Sequence, residues 1–226
     1  MPVIELKGVS HSYASGVKVL DGVDIAVEKG EFLSILGASG SGKTTLLSVM
    51  GGIVKPTEGK VYVDGEDVTA YTEKKLAVMR RTKLSFVFQF FNLAPYLTVE
   101  QNILVPALLR GKSRAEVKDD LDGLLAYTGL TARKNALPAR ISGGEQQRTA
   151  IARGLIVKPE IVLLDEPTGN LDSVNSREIM ELLAKINAEY GVTVVQVTHS
   201  ERNALYGTRI VNITDGKICS SPVVRG

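Results

Sequence analysis

Gly37-Ala38-Ser39-Gly40-Ser41-Gly42-Lys43-Thr44 is the stretch that decides the fold. Its spacing is G-x-x-x-x-G-K-[ST], a loop whose glycines let backbone N–H groups curl around phosphate oxygens with no Cβ in the way. The preceding segment, Glu31-Phe32-Leu33-Ser34-Ile35-Leu36, is short and apolar and reads as a buried strand. The following segment predicts a helix from Lys43 to about Met50, stopped by Gly51-Gly52. The unpaired donors and the dipole of a helix N-terminus both favour an anion there. Gly37, Ala38, Ser39, Gly40, Ser41 and Gly42 are therefore the expected phosphate cradle, with Thr45 beside it. Lys43 is expected to reach the β- and γ-phosphates of ATP, and the Thr44 hydroxyl to ligate Mg²⁺.

Outward from this loop, strands alternate with helices. Leu20, Val23, Ile25 and Val27 form a mostly alternating run that ends at Lys29-Gly30. Lys60-Val61-Tyr62-Val63 before Asp64-Gly65 reads as a strand and a turn, and Ser85-Phe86-Val87-Phe88 as another strand. After Pro159 come apolar Ile161–Leu164, an amphipathic helix over Ile179, Leu182, Leu183 and Ile186, and the β-branched run Val192–Val197. Such alternation implies a mainly parallel sheet covered on both faces.

Residues 90–157 read differently. Thr98 with Gln101, and Ser113 with Glu116, have the capping-box spacing that opens helices. Val117, Leu121, Leu124 and Leu125 share one helical face. The expected fold is α/β, one domain over 1–226. A P-loop NTPase core with a mainly parallel sheet and an N-terminal antiparallel β subdomain occupies about 1–89 and 158–226. An α-helical subdomain is inserted over about 90–157.

Composition removes several classes. With 226 residues, 44% hydrophobic and 23% charged, there is room for one large globular domain. A net charge of +2 gives no support to nucleic-acid binding, and none is expected. The single cysteine, Cys219, excludes an internal disulfide and a thiol–metal cluster. No run approaches the ~18 apolar residues of a membrane span. The most apolar region, Ile103 to Leu109, is short and contains Pro106. The N-terminal Met1–Lys7 carries Glu5 and no basic run, unlike a signal peptide, so a soluble chain is expected.

Leu163-Leu164-Asp165-Glu166 ends a strand in two acids. A parallel strand ending in a carboxylate near a phosphate loop is where a Mg²⁺-organising acid belongs, the role expected of Asp165. Glu166 is placed to polarise a water for attack on the γ-phosphate.

Ile141-Ser142-Gly143-Gly144-Glu145-Gln146-Gln147-Arg148 closely resembles the signature sequence of ABC-type ATPases, and the resemblance covers essentially the whole chain. Seen locally, Ser142 and Glu145 form a capping box, and the two glycines leave the first helical turn bare, a second anion site. The resemblance implies a head-to-tail dimer in which Ser142, Gly143 and Gly144 of one subunit close over the γ-phosphate held by the other. It implies further that Tyr13 stacks on adenine and that Gln89 contacts Mg²⁺ or the attacking water. By the same resemblance His199 contacts the γ-phosphate, and Gly169-Asn170-Leu171-Asp172 is the dimer-contact loop. Asp172 also reads as an N-cap, and both roles are compatible. Ile141 stands where leucine is usual, and Glu145 where glutamine is common.

Phe88–Leu93, Leu97–Asn102 and Gly169–Asp172 resemble the lipoprotein-release, macrolide-exporter and antimicrobial-peptide-exporter group. Membership implies an ATP-hydrolysing subunit, peripheral on the cytoplasmic face of the membrane, with an integral membrane permease as partner. Phe90-Phe91-Asn92-Leu93-Ala94-Pro95-Tyr96-Leu97 is rich in large apolar residues and reads either as the groove that receives a permease helix near Gln89–Leu97 or as core of the helical lobe. Non-transporting signalling and cell-division ATPases belong to the same neighbourhood and share these motifs.

Overall fold

The computed structural model describes residues 1–13, 16–219 and 223–224. The strands are β1 (Ile4–Ser12), β2 (Lys18–Val27), β3 (Phe32–Leu36), β4 (Glu58–Val63), β5 (Glu66–Asp67), β6 (Leu84–Val87), β7 (Ile161–Asp165), β8 (Thr193–Thr198), β9 (Arg209–Thr214), β10 (Lys217–Ile218) and β11 (Val223–Val224). The helices are α1 (Lys43–Met50), α2 (Glu73–Lys83), α3 (Val99–Leu109), α4 (Lys118–Tyr127), α5 (Gly143–Leu155), α6 (Ser173–Tyr190) and α7 (Glu201–Ala204).

The alternation read at Leu20, Val23, Ile25 and Val27 is real: all four are buried along β2. β2 belongs to an antiparallel sheet of order β2-β1-β4-β5. The continuous apolar runs behave as buried parallel strands should. β9, β3, β8, β7 and β6 are neighbours in that order and all parallel, with β10 and β11 antiparallel on β9. The expected α/β architecture is thus present, an antiparallel sheet beside a parallel-rich one.

Three apolar clusters hold these layers. One fills the space between the two sheets around α1, with Leu46, Leu47 and Met50 against Ile35, Leu163 and Val195. A second packs α5 and α6 on the other face of the parallel sheet, through Ala150, Ile151, Ile179 and Leu183. The third joins α3, α4 and the end of α5 through Val99, Ile103, Leu121, Leu125 and Ile156.

Local expectations in the helical segment divide. Thr98 and Gln101 make both bonds of a capping box and α3 follows. Ser113 and Glu116 also bond reciprocally, Ser113 N–H to Glu116 Oε2 at 2.7 Å and Glu116 N–H to Ser113 Oγ at 3.4 Å. No helix starts there, however. The chain makes a turn, and α4 begins only at Lys118. Val117 leaves helical geometry, φ −113° and ψ 13°, as it drops its side chain into the helical cluster. The helix α2 had no sequence expectation. It follows the Thr72 cap and buries only Leu76 and Met79.

One buried amide organises the entry to this segment. Asn102 lies 1% exposed on α3 and clasps the preceding loop. Its Oδ1 accepts from Ala94 N–H at 2.8 Å, and its Nδ2 donates to the carbonyls of Ala94, Leu97 and Thr98 at 3.1, 2.9 and 3.0 Å. Asn102→Leu leaves these backbone groups unpaired, and each such group costs about 1–3 kcal/mol. We expect a loss of roughly 2–4 kcal/mol, read as a lower urea midpoint at unchanged slope.

Candidate functional site

Strand order assembles the site. Ligands of open parallel sheets bind outside the carboxyl ends of the strands. Four adjacent strands, β3, β8, β7 and β6, end there and carry in turn the loop Gly37–Gly42, His199, the pair Asp165–Glu166, and Gln89. Neighbouring strands lie about 4.8 Å apart, so side chains from four distant chain segments converge within one nucleotide's length. A cavity of about 510 Å³ opens over these ends, lined by Val19, Ser39, Gly40, Gly42, Lys43, Thr44, Thr45, Gln89, Asp165, Glu166 and His199.

The loop is shaped by its glycines. A Cβ on Gly37 would lie 2.5 Å from the Ile213 carbonyl oxygen, and one on Gly42, at φ 100°, 2.7 Å from the Val19 carbonyl oxygen. Only glycine fits both places. The loop is seated from below by Gly216 N–H, which donates to Ser41 O at 3.0 Å. Lys43, the first residue of α1, is 7% exposed. Its ammonium donates to the carbonyls of Gly37 and Ala38 at 2.8 Å each and lies 3.8 Å from Glu166 Oε1. The cation is thus held inside the cradle's own curl.

The acids are joined to this frame. Thr44 Oγ1 donates to Asp165 Oδ1 at 3.0 Å, linking the two residues expected to share a metal. Glu166 takes φ 47°, a left-handed backbone that costs a non-glycine residue about 1–2 kcal/mol. It is held there by its N–H on Val197 O at 3.1 Å. In that conformation its Oε2 reaches His199 Nδ1 at 3.0 Å. Gln89 is pinned from the other side. Its Nε2 donates to Asn170 Oδ1 at 3.4 Å, and Asn170 Nδ2 returns to the Gln89 carbonyl at 3.0 Å. Gly169 leaves room for this, since a Cβ there would stand 2.8 Å from Gln89 Nε2.

Burial holds the Asp165 carboxyl above its usual range, with the neighbouring Glu166 charge adding to the effect against the Thr44 bond. The folded chain therefore binds this proton more tightly than the unfolded one. Its stabilising effect is complete below the ordinary carboxylate value and is lost as pH rises through the raised one. Asp165→Asn is expected to raise the melting temperature of the protein without nucleotide at neutral pH. An unchanged or lower value in a thermal melt would contradict this.

The other expected site residues are not in the cavity lining, although Tyr13 reaches its edge at Thr45. Tyr13 is half exposed, its hydroxyl 3.2 Å from Thr45 Oγ1 and its ring edge-on to His11 at 4.7 Å. Ser142 caps α5 with a complete capping box, which holds the Glu145 carboxyl below its usual range chiefly through the Ser142 N–H. Asp172 is the N-cap of α6, bonding the N–H groups of Val174 and Asn175 at 2.9 Å each. Ser142, Gly143, Gly144 and Asp172 do not line the cavity of their own chain. Asn175, in the first turn of α6, lies between the two helix starts: its Nδ2 donates to Asp172 Oδ2 at 2.6 Å, and its Oδ1 faces Gly144.

The Phe90–Leu97 segment splits between its two readings. Phe91 and Leu93 pack on the core beside α5 and α6, while Phe90 and Tyr96 are 71% and 90% exposed. Arg153, on α5, donates to the carbonyls of Asn92 and Phe91 at 2.6 and 3.0 Å. Sequence reasoning missed Arg153 and Asn102 as organisers of this loop. Neither stands out locally: Asn102 directly follows Glu100 and Gln101 on α3, and Arg153 shares α5 with Glu145, Gln146, Gln147 and Arg148.

A phosphate loop at the tip of β3, with an acid pair two strands away in a parallel sheet, defines a P-loop ATPase. Residues 20–169 match the model of the ABC transporter family. The chain belongs to the ABC transporter ATP-binding family. It is 47% identical over 203 residues to the lipoprotein-releasing system ATP-binding protein LolD of Aquifex aeolicus, covering 90% of each. It is 41% identical over 222 residues to the macrolide export ATP-binding/permease protein MacB of Hyphomonas neptunium, covering 97% of this chain and 34% of that protein. The chain thus spans about a third of MacB. Among solved structures, the post-hydrolysis dimer of the ATP-binding cassette MJ0796 bound to ADP and Pi superposes with a TM-score of 0.89 at 40% identity, over 99% of each chain.

Proposed function

We propose that this chain is the ATP-hydrolysing motor subunit of an exporter of the LolD and MacB type, working as an ATP-sandwich dimer on a separate membrane permease. The observation that carries the reading is the separation of two anion cradles in one chain. Ser39, Gly40 and Gly42 of the phosphate loop line the cavity, whereas the bare helix start at Ser142–Gly144 does not. A second copy, turned head to tail, supplies the missing wall. The dimeric MJ0796 cassette supports this, as do relatives whose names join an ATP-binding part to a permease or a releasing system. No helix among the described residues is long and apolar enough to cross a membrane, which agrees with a peripheral seat on the cytoplasmic face.

In each site the N–H groups of Gly37–Gly42 bind the β-phosphate and Lys43 turns from its carbonyls to the β- and γ-phosphates. Tyr13 stacks on the adenine. Thr44, Asp165 and Gln89 offer a hydroxyl, a carboxylate and an amide oxygen, a hard donor set that suits Mg²⁺, with Thr44 and Asp165 already in contact. Mg²⁺ bound there neutralises phosphate charge. Glu166 orients the attacking water and accepts its proton, and His199, bonded to Glu166, holds the γ-phosphate. Ser142, Gly143 and Gly144 of the opposite copy complete the donors around the developing charge. Closure assembles these groups and product release reopens them. In this reading residues 90–157 are a helical subdomain inserted in the core of 1–89 and 158–226.

Mixing two inactive chains tests the composite site. Lys43→Ala retains a signature and Ser142→Arg retains a phosphate loop, so their heterodimer has one intact site. Turnover is expected from the mixture and from neither variant alone. A mixture as inactive as its components would show that the signature does not act across the dimer.

A further inference from the structure

His199 depends on its backbone for its position. Its side chain is 63% exposed, and among the described residues its one polar partner is Glu166, 3.0 Å away. The turn that carries it joins the end of β8 to α7, a helix of four residues. A helix so short does not hold itself in water. Asn203, on α7, supplies the anchorage. Its backbone N–H donates to Ser200 Oγ at 3.3 Å, closing the turn directly after His199. Its carbonyl accepts from Gln196 Nε2 at 2.9 Å, and that amide, fully buried on β8, also donates to Ser34 Oγ at 2.7 Å. Its side chain crosses to another loop, where Asn203 Nδ2 donates to Thr168 Oγ1 at 2.7 Å. Thr168 is buried and lies two residues beyond Glu166, inside the turn closed by Gly169 N–H on Glu166 O at 3.0 Å. One side chain therefore ties the turn of His199 to the turn of Glu166.

We propose that Asn203 is a positioning residue for ATP hydrolysis: its bond to Thr168 fixes the spacing between His199 and Glu166. This role rests on those given above to Glu166 and His199. Asn203 does not line the nucleotide cavity, so it acts through the two turns it joins. Glu166 holds a left-handed backbone, which persists only where the surroundings over-determine it, and the Thr168 bond restrains that same turn. The following stretch of the loop is restrained separately, by Asn170 on Gln89. Asn203 thus governs the half of the loop that carries the acid. Without its bond the two turns are free to drift apart, and a misplacement of about 1 Å costs up to about 10²-fold in rate.

The test is steady-state turnover of ATP with Mg²⁺ by the full chain. Asn203→Ala and Thr168→Val are each expected to lower kcat about tenfold, with KM for ATP within about twofold of wild type. The double variant is expected to be no slower than either single one, because both remove the same bond. Thr168→Ser keeps the hydroxyl and is expected to retain most of the rate. A purely structural role would instead lower the melting temperature and leave kcat per folded chain unchanged. Thr168→Val reads the bond from its other end should Asn203→Ala fail to fold. Full turnover by both His199→Ala and Glu166→Gln would remove the roles on which the proposal rests. Slow His199→Ala and Glu166→Gln chains beside wild-type turnover in Asn203→Ala and Thr168→Val would overturn the positioning role alone. Losses that multiply in the double variant would overturn it as well.

Discussion

Replacing Glu166 by glutamine is expected to reduce steady-state ATP turnover by two to four orders of magnitude, about the contribution of a positioned general base. The substitution keeps size and shape but removes the anion that His199 contacts at 3.0 Å and Lys43 approaches at 3.8 Å. Glutamine also tolerates the left-handed backbone no better and no worse than glutamate, so the loss belongs to the carboxylate. ATP affinity is expected to hold, because the phosphate cradle is untouched. With binding intact and hydrolysis stopped, the ATP-bound dimer should accumulate, visible as a doubled mass in sedimentation with ATP and Mg²⁺. Single-turnover phosphate release measures the rate directly. Turnover above about a tenth of wild type would take the water-activating role away from Glu166.

The second large effect is expected from Gly144→Ala. A Cβ at this position would stand 2.1 Å from Asn175 Oδ1. Asn175 has little freedom to retreat, since its Nδ2 and backbone N–H are both bonded to Asp172. The methyl group therefore displaces either the first turn of α5 or the cap of α6, the two segments expected to meet the opposite subunit's nucleotide. Loss of one aligned donor in a charge-stabilising shell costs about 10²–10³ in turnover. Binding of ATP to the single chain is expected to stay unchanged, because Gly144 is not part of its own cavity. Asn175→Ala removes the obstacle, so the double variant should recover part of the lost rate, a coupling that a double-mutant cycle reads. A Gly144→Ala chain with wild-type turnover would mean the close approach is relaxed at no cost.

Much of this was legible because the relevant physics is local. The Gly37–Thr44 spacing specifies a backbone curl and a helix start, and both occur where the residues place them. The capping boxes at Thr98 and Ser142 likewise need only four residues each, and both open helices. The box at Ser113 shows the boundary of such reasoning. Its hydrogen bonds form, yet the helix waits until Lys118, because the pull of the apolar cluster on Val117 outweighs helical geometry there. The helix α2 went unread for the converse reason: few of its residues are buried, so its apolar period is faint.

The sequence by itself determined the chemistry on offer: a phosphate loop with its lysine and threonine, an acid pair at a strand end, and a capped, glycine-bare helix start. Each is a short-range pattern set by backbone sterics and terminal donors. Only the tertiary structure decided which of these face one another. The order β3-β8-β7-β6 sets His199 and the Asp165–Glu166 pair between the phosphate loop and Gln89. The same packing leaves the Ser142 helix start outside its own chain's cavity. It also makes Asn102 and Arg153 clasps of the Gln89 loop. Strand order and side-chain clasps arise from contacts between residues far apart in the chain. No local spacing records them, because they are selected by which buried surfaces fit together when the whole core closes.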